Sequence, residues 1–325
     1  MAKTSAPCSI VIRAYNEEKH IGRLLEGIAR QDIEDVQIIL VDSGSTDATL
    51  AIASRYPVEI LSIHPDDFTF GRSLNLGCSH ARSEFIVIAS AHVYPVYPDW
   101  LRQLLRPFED PGVALAYGKQ RGNATTRYSE HQHFAKMFPE HSDPHQRNPL
   151  CNNANAAIRR SLWQEHPYDE ELPGLEDVAW ASWALDRGYH LAYSAEAEVI
   201  HVHNETPRQV FNRYRREAMA LRRIQPQEYF HFRDFVRLFP TNVLSDCLHA
   251  FRERCFLREF RGIVTFRFMQ FWGTYRGFRY AGPLTGQLKQ AFYYPRGLSG
   301  QKEPSKRAVP PLDYGSVELD VDPRG

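Results

Sequence analysis

The stretch VDSGSTD, residues 41–47, constrains this chain more than any other. It is entered from the apolar run Val36-Gln37-Ile38-Ile39-Leu40 and left through Ala48-Thr49-Leu50. A buried parallel strand that ends in an acid and passes through small polar residues into a helix sets backbone N–H groups and a carboxylate at the strand's C-terminal edge, where open α/β sheets bind nucleotides. The chain is therefore expected to handle a nucleotide. A second edge of the same kind, VIRAYNEEKHIGRLL at residues 11–25, precedes it by about thirty residues, and two such edges in order are a far stronger signal than one.

The surrounding periodicity supports that reading. Residues 9–12 read as a short strand, and residues 18–31 carry Ile21, Leu24, Leu25 and Ile28, the i, i+3, i+4, i+7 stripe of a helix packed on a sheet. Further strands are expected at 36–41, 58–63, 85–89 and 113–117, a helix at 177–187, and one or two strands within 190–203. Strand alternating with helix over this length predicts an α/β fold, a mostly parallel sheet flanked by helices. A hydrophobic content of 43% can supply its core. The α/β part is expected to end near residue 205.

These blocks resemble the amino-terminal signature of glycosyltransferase family 2, the inverting sugar transferases of GT-A fold, and the likeness covers residues 9–205. It implies a nucleotide-sugar half at about residues 1–95 and an acceptor half at about 96–205. In that family the acid ending the second strand hydrogen-bonds the donor's base, here Asp42, with Ser43 and Gly44 in the turn beside it. Tyr15, Asn16 and Glu17 lie on the first edge, near where base and ribose would sit. Asp47 suits the start of the next helix with no ligand at all.

Residues 71–95, GRSLNLGCSHARSEFIVIASAHVYP, resemble the segment in which a basic residue and an Asn precede a strand ending in a metal-binding Asp-x-Asp. Arg72 matches the basic position that reaches the nucleotide. At the strand's end the chain departs from the pattern: Ser90-Ala91-His92 stands there, with Ala91 in the nucleotide-binding segment and no carboxylate. The usual motif holds a divalent metal, Mn²⁺ or Mg²⁺, against the diphosphate. His92 either ligates such an ion or only packs and hydrogen-bonds. His201 and His203 alternate onto one face of a strand, where the family often places a metal-binding His.

Residues 174–189, GLEDVAWASWALDRGY, resemble the family's Glu-Asp pair at a helix start. The resemblance makes Asp177 the general base that deprotonates the acceptor hydroxyl, with Glu176 as its neighbour. The helix dipole alone would also favour two acids there. CNNANAAIRR, residues 151–160, looks like the short strand flanking the acceptor site, which gives Asn152, Asn153 and Asn155 as candidate contacts to sugar hydroxyls. Asn is equally an ordinary turn residue.

The implied function is inverting transfer of a sugar from a nucleoside-diphosphate sugar to the hydroxyl of a saccharide or lipid-linked acceptor, in polysaccharide or glycoconjugate synthesis. The alternative is a non-catalytic nucleotide- or carbohydrate-binding protein on the same fold, motivated by the missing acids. A nucleotidyltransferase would want a Gly-rich basic loop after the first strand, where this chain has AYNEEKH. A Rossmann dehydrogenase lacks its GxGxxG.

Beyond residue 205 the text changes. Residues 206–296 carry 17 Lys/Arg against 6 Asp/Glu, interleaved with aromatics, although the whole chain balances 39 against 39. A helical basic and aromatic region is expected over 206–300, and a Pro-rich, charged tail over 301–325 is expected to be disordered. Arg213 and Arg216 could close over the diphosphate. Gln209 to Tyr214 only loosely echoes the QxxRW element of processive synthases, which favours a non-processive enzyme. The aromatics suit either a peripheral contact with anionic membrane or a helical core or homodimer interface. No nucleic-acid module accompanies the charge. With no readable secretory or spanning segment and scattered cysteines, the expected location is the cytoplasm, with peripheral contact at the inner membrane face as the alternative.

Overall fold

The computed structural model describes residues 7–280 together with Gly282, Leu288, Phe292 and Tyr293. In chain order its elements begin with β1 (Ser9–Ala14), α1 (Ile21–Ala29), β2 (Gln37–Asp42), α2 (Thr49–Ala53), β3 (Val58–Ser62), α3 (Phe70–His80), β4 (Phe85–Ser90), β5 (Val93–Pro95) and α4 (Trp100–Leu105). There follow β6 (Val113–Arg121), α5 (Tyr128–Met137), β7 (Asp143–Gln146), β8 (Asn155–Arg159), α6 (Arg160–Glu165), α7 (Glu176–Asp186) and β9 (His190–His201). Three long helices close the series: α8 (Pro207–Ile224), α9 (Phe232–Arg252) and α10 (Phe256–Phe278). The tail expected at 301–325 lies outside the described residues.

One sheet carries all nine of these strands, in the order β3-β2-β1-β4-β8-β6-β9-β5 with β7 also on β9. The β1, β2, β3 and β4 pairings and that of β6 with β9 are parallel, whereas β8, β5 and β7 run against their neighbours. The parallel strands are apolar on both sides because both faces are covered. Ile10 and Ile12 face one core with Ile38, Leu40 and the α1 stripe, while Val11 faces the other with Ile39, Val41 and Ile88. The expected class holds: a mostly parallel sheet between helices, with a helical C-terminal extension.

Register is what places the functional edge. Ala14 pairs with Asp42 and Arg13 with Ser90, so β1, β2 and β4 end side by side. The antiparallel β8 brings Asn155 opposite Ala89, just short of that edge. At the far side β5 pairs Val93 with His201, and Val202 N–H donates to His92 O at 3.1 Å. Three of these strands had no clear signal in the sequence. β7 is Asp-Pro-His-Gln, polar and mostly exposed; β5 is three residues long; and β8 was read only through the family likeness.

The extension starts sharply. Thr206 and Gln209 form a reciprocal capping box and Pro207 occupies the first turn, where its missing N–H costs nothing. α8 packs closely on α10 because Gly273 presents no side chain: a Cβ there would sit 2.5 Å from Phe211 O. The aromatics of α10 divide: Phe278 is buried, whereas Phe260 and Phe268 are exposed. Phe266 is buried, and Trp272 stacks among Phe235, Phe268 and Tyr275 at centroid distances of 5.6, 6.2 and 5.3 Å. This matches the helical-core reading for those residues.

Arg267 is the buried tie of the extension. Its Nε donates to Asp246 Oδ2 at 2.7 Å, a second nitrogen to Asp246 Oδ1 at 3.0 Å, and the same nitrogen to Ser129 O on α5 at 3.3 Å. Removing one partner leaves the other charge buried and unpaired. Asp246→Ala is therefore expected to lose about 3–5 kcal/mol by denaturant titration. An Asp246→Leu, Arg267→Met double variant should recover most of that loss, and failure to recover would show that the pair does more than neutralise itself.

Candidate active site

A cavity of about 400 Å³ opens where the ends of β1, β2 and β4 meet α7, the segment after β9, and α8. Its first wall is two crossed loops. Asn16 N–H donates to Ser45 Oγ at 2.9 Å, Thr46 N–H to Asn16 Oδ1 at 2.8 Å, and Glu17 N–H to Thr49 Oγ1 at 2.7 Å. Asn16 has φ of 53° and Gly44 of 91°, left-handed conformations that turn both loops toward each other. Asp42 is buried and accepts from Gly44 N–H and Ser45 N–H, each at 3.0 Å, so its carboxylate first shapes the turn. Ser43 and Tyr15 line the cavity, whereas Asp42, Asn16 and Gly44 stand behind the surface.

The acid pair forms the second wall. Leu175 has φ of 56° immediately before α7, a left-handed turn that a leucine adopts only at a cost. That turn aims Glu176 and Asp177 inward, and both are buried. Asp177 Oδ2 accepts from Asn153 N–H at 3.0 Å and Oδ1 from Val178 N–H at 2.9 Å. Burial, and then the charge of Glu176, outweigh those bonds and raise the Asp177 carboxyl to about 7. Glu176 in turn meets Arg13 of β1 at 3.2 Å. Arg13 lines the cavity and was missed in the sequence, although an arginine inside a buried strand is itself a signal.

Imidazoles form the third wall. His201 and His203 rings lie 4.0 Å apart, with His92 at 5.1 and 5.8 Å from them, and one ligand nitrogen from each lies within 4.8 Å of the others. His92 Nδ1 lies 2.9 Å from Glu17 Oε1, His203 Nδ1 lies 2.7 Å from Glu130 Oε1, and His201 Nδ1 lies 2.7 Å from Gln120 Oε1. Each ring thus has one nitrogen engaged from behind, the arrangement that orients ligand histidines. His201 Nε2 is buried with no hydrogen-bond partner among the described residues. Burial, together with the neighbouring His203, pushes the His201 pKa well below its ordinary value, keeping the imidazole neutral. A buried, neutral imidazole with one nitrogen unpartnered among the described residues, beside two others, fits a borderline divalent ion.

The fourth wall is α8. Arg213 is held between Glu130 and Glu205, each at 2.7 Å, so its charge is already compensated. Arg216 has no such carboxylate among the described residues: one nitrogen donates to Phe292 O at 3.1 Å, and the buried Nε has no partner. Burial lowers the pKa of this arginine. The sequence did not single out Glu130 and Glu205, because nothing local marks a carboxylate that meets its partner from a distant helix.

Three expected residues sit elsewhere. Asn155 is fully buried; its Oδ1 accepts from Trp100 Nε1 at 2.9 Å and its Nδ2 donates to Ala197 O at 2.8 Å, which leaves nothing for an acceptor. Asn152 and Asn153 do line the cavity. Arg72 does not line the cavity and pairs on the surface with Glu170 at 2.9 Å. Ala91 is wholly buried and presents no side chain to it.

Parallel strands ending in turns at a common edge, opposite a buried carboxylate pair and an imidazole cluster, define a glycosyltransferase domain of GT-A type. Residues 9–166 match the family described as Glycosyl transferase family 2, which places this domain in that family. An O-antigen chain rhamnosyltransferase of Salmonella typhimurium is 28% identical over 218 residues, which cover 63% of this chain and 69% of that protein. One from Salmonella anatum is 32% identical over 196 residues, 57% of this chain and 62% of the relative. Among solved structures, a mannosyltransferase from Pyrobaculum calidifontis, in complex with GDP-Man and Mn²⁺, matches with a TM-score of 0.59 at 16% identity, covering 85% of this chain and 88% of that one. Glucosyl-3-phosphoglycerate synthase from Mycobacterium tuberculosis, in complex with Mn²⁺, UDP and glucosyl-3-phosphoglycerate, matches with a TM-score of 0.50 at 21% identity, covering 69% and 81%. At such identities the structural likeness is one of fold.

The corrected position of Asn155 is testable. Asn155→Ala strands the Trp100 N–H and a strand carbonyl in the core, so stability should fall by about 1–3 kcal/mol. Acceptor KM should stay unchanged in the folded fraction; a raised KM with unchanged stability would return Asn155 to the acceptor site.

Proposed function

We propose that the cavity performs one in-line displacement at the anomeric carbon of a nucleoside-diphosphate sugar, with Asp177 as general base and inversion at that carbon. The acceptor hydroxyl gives its proton to Asp177 as its oxygen bonds to C1. The bond from C1 to the diphosphate oxygen breaks, and the nucleoside diphosphate leaves with the electron pair. The observation that carries this reading is the buried Asp177 carboxylate, held by two backbone N–H groups at the cavity wall. Those bonds fix its direction, and the raised pKa makes it a better base than an ordinary aspartate.

Around it, Arg13 pairs with Glu176, which lines the cavity beside Asp177. Tyr15, Ser43 and Glu17 bound the nucleotide side, with Asp42 and Gly44 behind them shaping the turn; Asn152 and Asn153 bound the acceptor side. Arg216 is better placed than Arg213 to receive the diphosphate, because its guanidinium forms no ion pair among the described residues. His92, His201 and His203 would hold a divalent ion of Mn²⁺ type, and when bound it would neutralise the leaving diphosphate.

The two Salmonella relatives make a nucleoside-diphosphate rhamnose the first donor to test. A lipid-linked acceptor also fits the extension. Phe232, Val236, Leu244, Leu248 and Phe251 are exposed on α9, Leu257 beyond it is 91% exposed, and Arg233, Arg237, Arg252 and Arg254 flank them. None of the described helices is long and apolar enough to cross a membrane, so contact through this face would be peripheral, at the cytoplasmic leaflet. The same face joining two copies is the competing arrangement, which light scattering would detect.

Asp177→Asn should lower kcat by about 10²–10⁴-fold while leaving the Kd for nucleoside diphosphate unchanged. Because the folded carboxyl is raised to about 7 and only its deprotonated form accepts a proton, wild-type turnover should fall as pH drops through about 7. A pH profile flat across that range, or near-normal turnover by the Asn variant, would exclude Asp177 as the base.

For the metal, chelation with EDTA should suppress turnover, and Mn²⁺ should restore it better than Mg²⁺, since imidazole is a poor ligand for a hard ion. Undiminished turnover in EDTA would exclude an essential ion.

A further inference from the structure

A second cluster of ligating side chains lies away from the cavity, where the start of β9 meets β7 and the turn that enters β6. His190 Nε2 is 3.0 Å from His145 Nδ1 and 3.2 Å from Asp110 Oδ2. One ligand atom from each of the three residues lies within 4.8 Å of the others, and none of the three lines the catalytic cavity. We propose that Asp110, His145 and His190 form a surface site for a divalent cation of Zn²⁺ type.

The spacing is that of a coordination shell. Bonds of about 2.0–2.2 Å at tetrahedral angles put neighbouring ligand atoms roughly 3.3 Å apart, close to the two separations seen here. Two imidazoles and a carboxylate are a donor set for a borderline ion, and the exposure of His145 leaves the fourth position open to water. Asp110 is already oriented: its Oδ1 accepts from Gly112 N–H at 2.8 Å, which leaves Oδ2 for His190. That backbone bond, and then the two histidines, hold the carboxyl below its ordinary range, in the anionic form a cation needs. Gly112 makes the approach possible, since a Cβ there would stand 2.8 Å from His190 Cε1 and 3.1 Å from Asp110 Oδ1.

The ion would add a tie from β7 to the start of β9 and to the turn into β6, two segments that the sheet already joins through Val113 opposite His190. β7 meets β9 through Asp143 opposite Tyr193 and Gln146 opposite Leu191, with a register irregularity between them. A few residues beyond β7 the chain reaches Asn152 and Asn153, which line the cavity, and Asn153 N–H holds the Asp177 carboxylate. A cation at the outer end of β7 therefore braces the wall that positions this acid. The site itself stands on the geometry of the three ligands and is independent of the transfer reaction.

Equilibrium dialysis of the chelator-treated full chain against Zn²⁺ at pH 7.5 tests it. Wild type should hold one more equivalent than His145→Ala and than His190→Ala, and Asp110→Asn should bind that equivalent at least about tenfold more weakly. The same equivalent should persist in His203→Ala, which separates it from the imidazole cluster of the cavity. His145 is exposed, so its variant should keep the wild-type circular dichroism. Anomalous scattering from a Zn²⁺-soaked crystal should place the ion between the three side chains. Equal binding by wild type and His145→Ala, including none by either, overturns the site, as does an ion found only elsewhere.

Discussion

A guanidinium at the end of β1 meets a carboxylate at the start of α7, 163 residues later, and the functional edge is organised around that contact. Arg13 could not lie in a buried strand, nor Glu176 on a buried helix start, without the other. The pair joins the half of the sheet built from β1 to β4 to the half closed by β8, β6 and β9. Its consequence for Asp177 is direct. Two adjacent buried acids repel, and Arg13 compensates one of them while the other keeps a raised pKa. The same guanidinium lies 4.8 Å from the Phe70 ring centroid, so α3 is fixed to the same point.

Charge is arranged by the same rule on the opposite wall. Glu130 lies against both His203 and Arg213, and these two partners, against its burial, lower its carboxyl to about 2. Arg213 is thereby spent on structure, tying α8 to α5 and to the segment after β9. Arg216, three residues further along the same helix, lines the cavity and forms no ion pair among the described residues. Helix α8 in turn sits where it does because α10 can approach it at Gly273, and α10 is anchored through Arg267 to Asp246 and α5. The helical extension thus shapes the catalytic cavity and is not merely appended to it.

How much of this was legible in the sequence follows from range. The continuous apolar runs of β1, β2 and β4, the α1 stripe and the acids at Asp42, Glu176 and Asp177 are local patterns, and the structure has them where the patterns put them. The convergence of His92, His201 and His203 was expected from the family likeness and from the alternation of His201 and His203, with no local pattern at His92 to announce it. Their meeting depends on β5 pairing with β9, a three-residue strand without a periodic signature. Asn155 misled because a side chain between two sheet carbonyls and an indole looks, in sequence, like any asparagine near a turn. Arg72 misled for the converse reason: its partner Glu170 lies 98 residues away. The left-handed Leu175 carried no signal at all, since strain at a non-glycine residue is imposed by its surroundings.

The replacement of a carboxylate motif by Ser90-Ala91-His92 has a physical consequence for the proposed ion. Neutral imidazoles remove less of a cation's charge than carboxylates do, so an ion held by them acts more strongly on a diphosphate and is itself held less tightly. The acids have not vanished from this wall. Glu17 and Glu130 stand one layer back, each against the Nδ1 atom of a histidine. From there they fix the orientation of the rings. Burial disfavours the charged form of His92, yet the nearby Glu17 carboxylate raises its pKa overall, so protons would compete with an ion for this ring more strongly than for an ordinary imidazole. Occupancy would therefore weaken on the acid side, the same side on which Asp177 becomes protonated. Base and ion would be lost together as pH falls, two dependences on pH that share one direction.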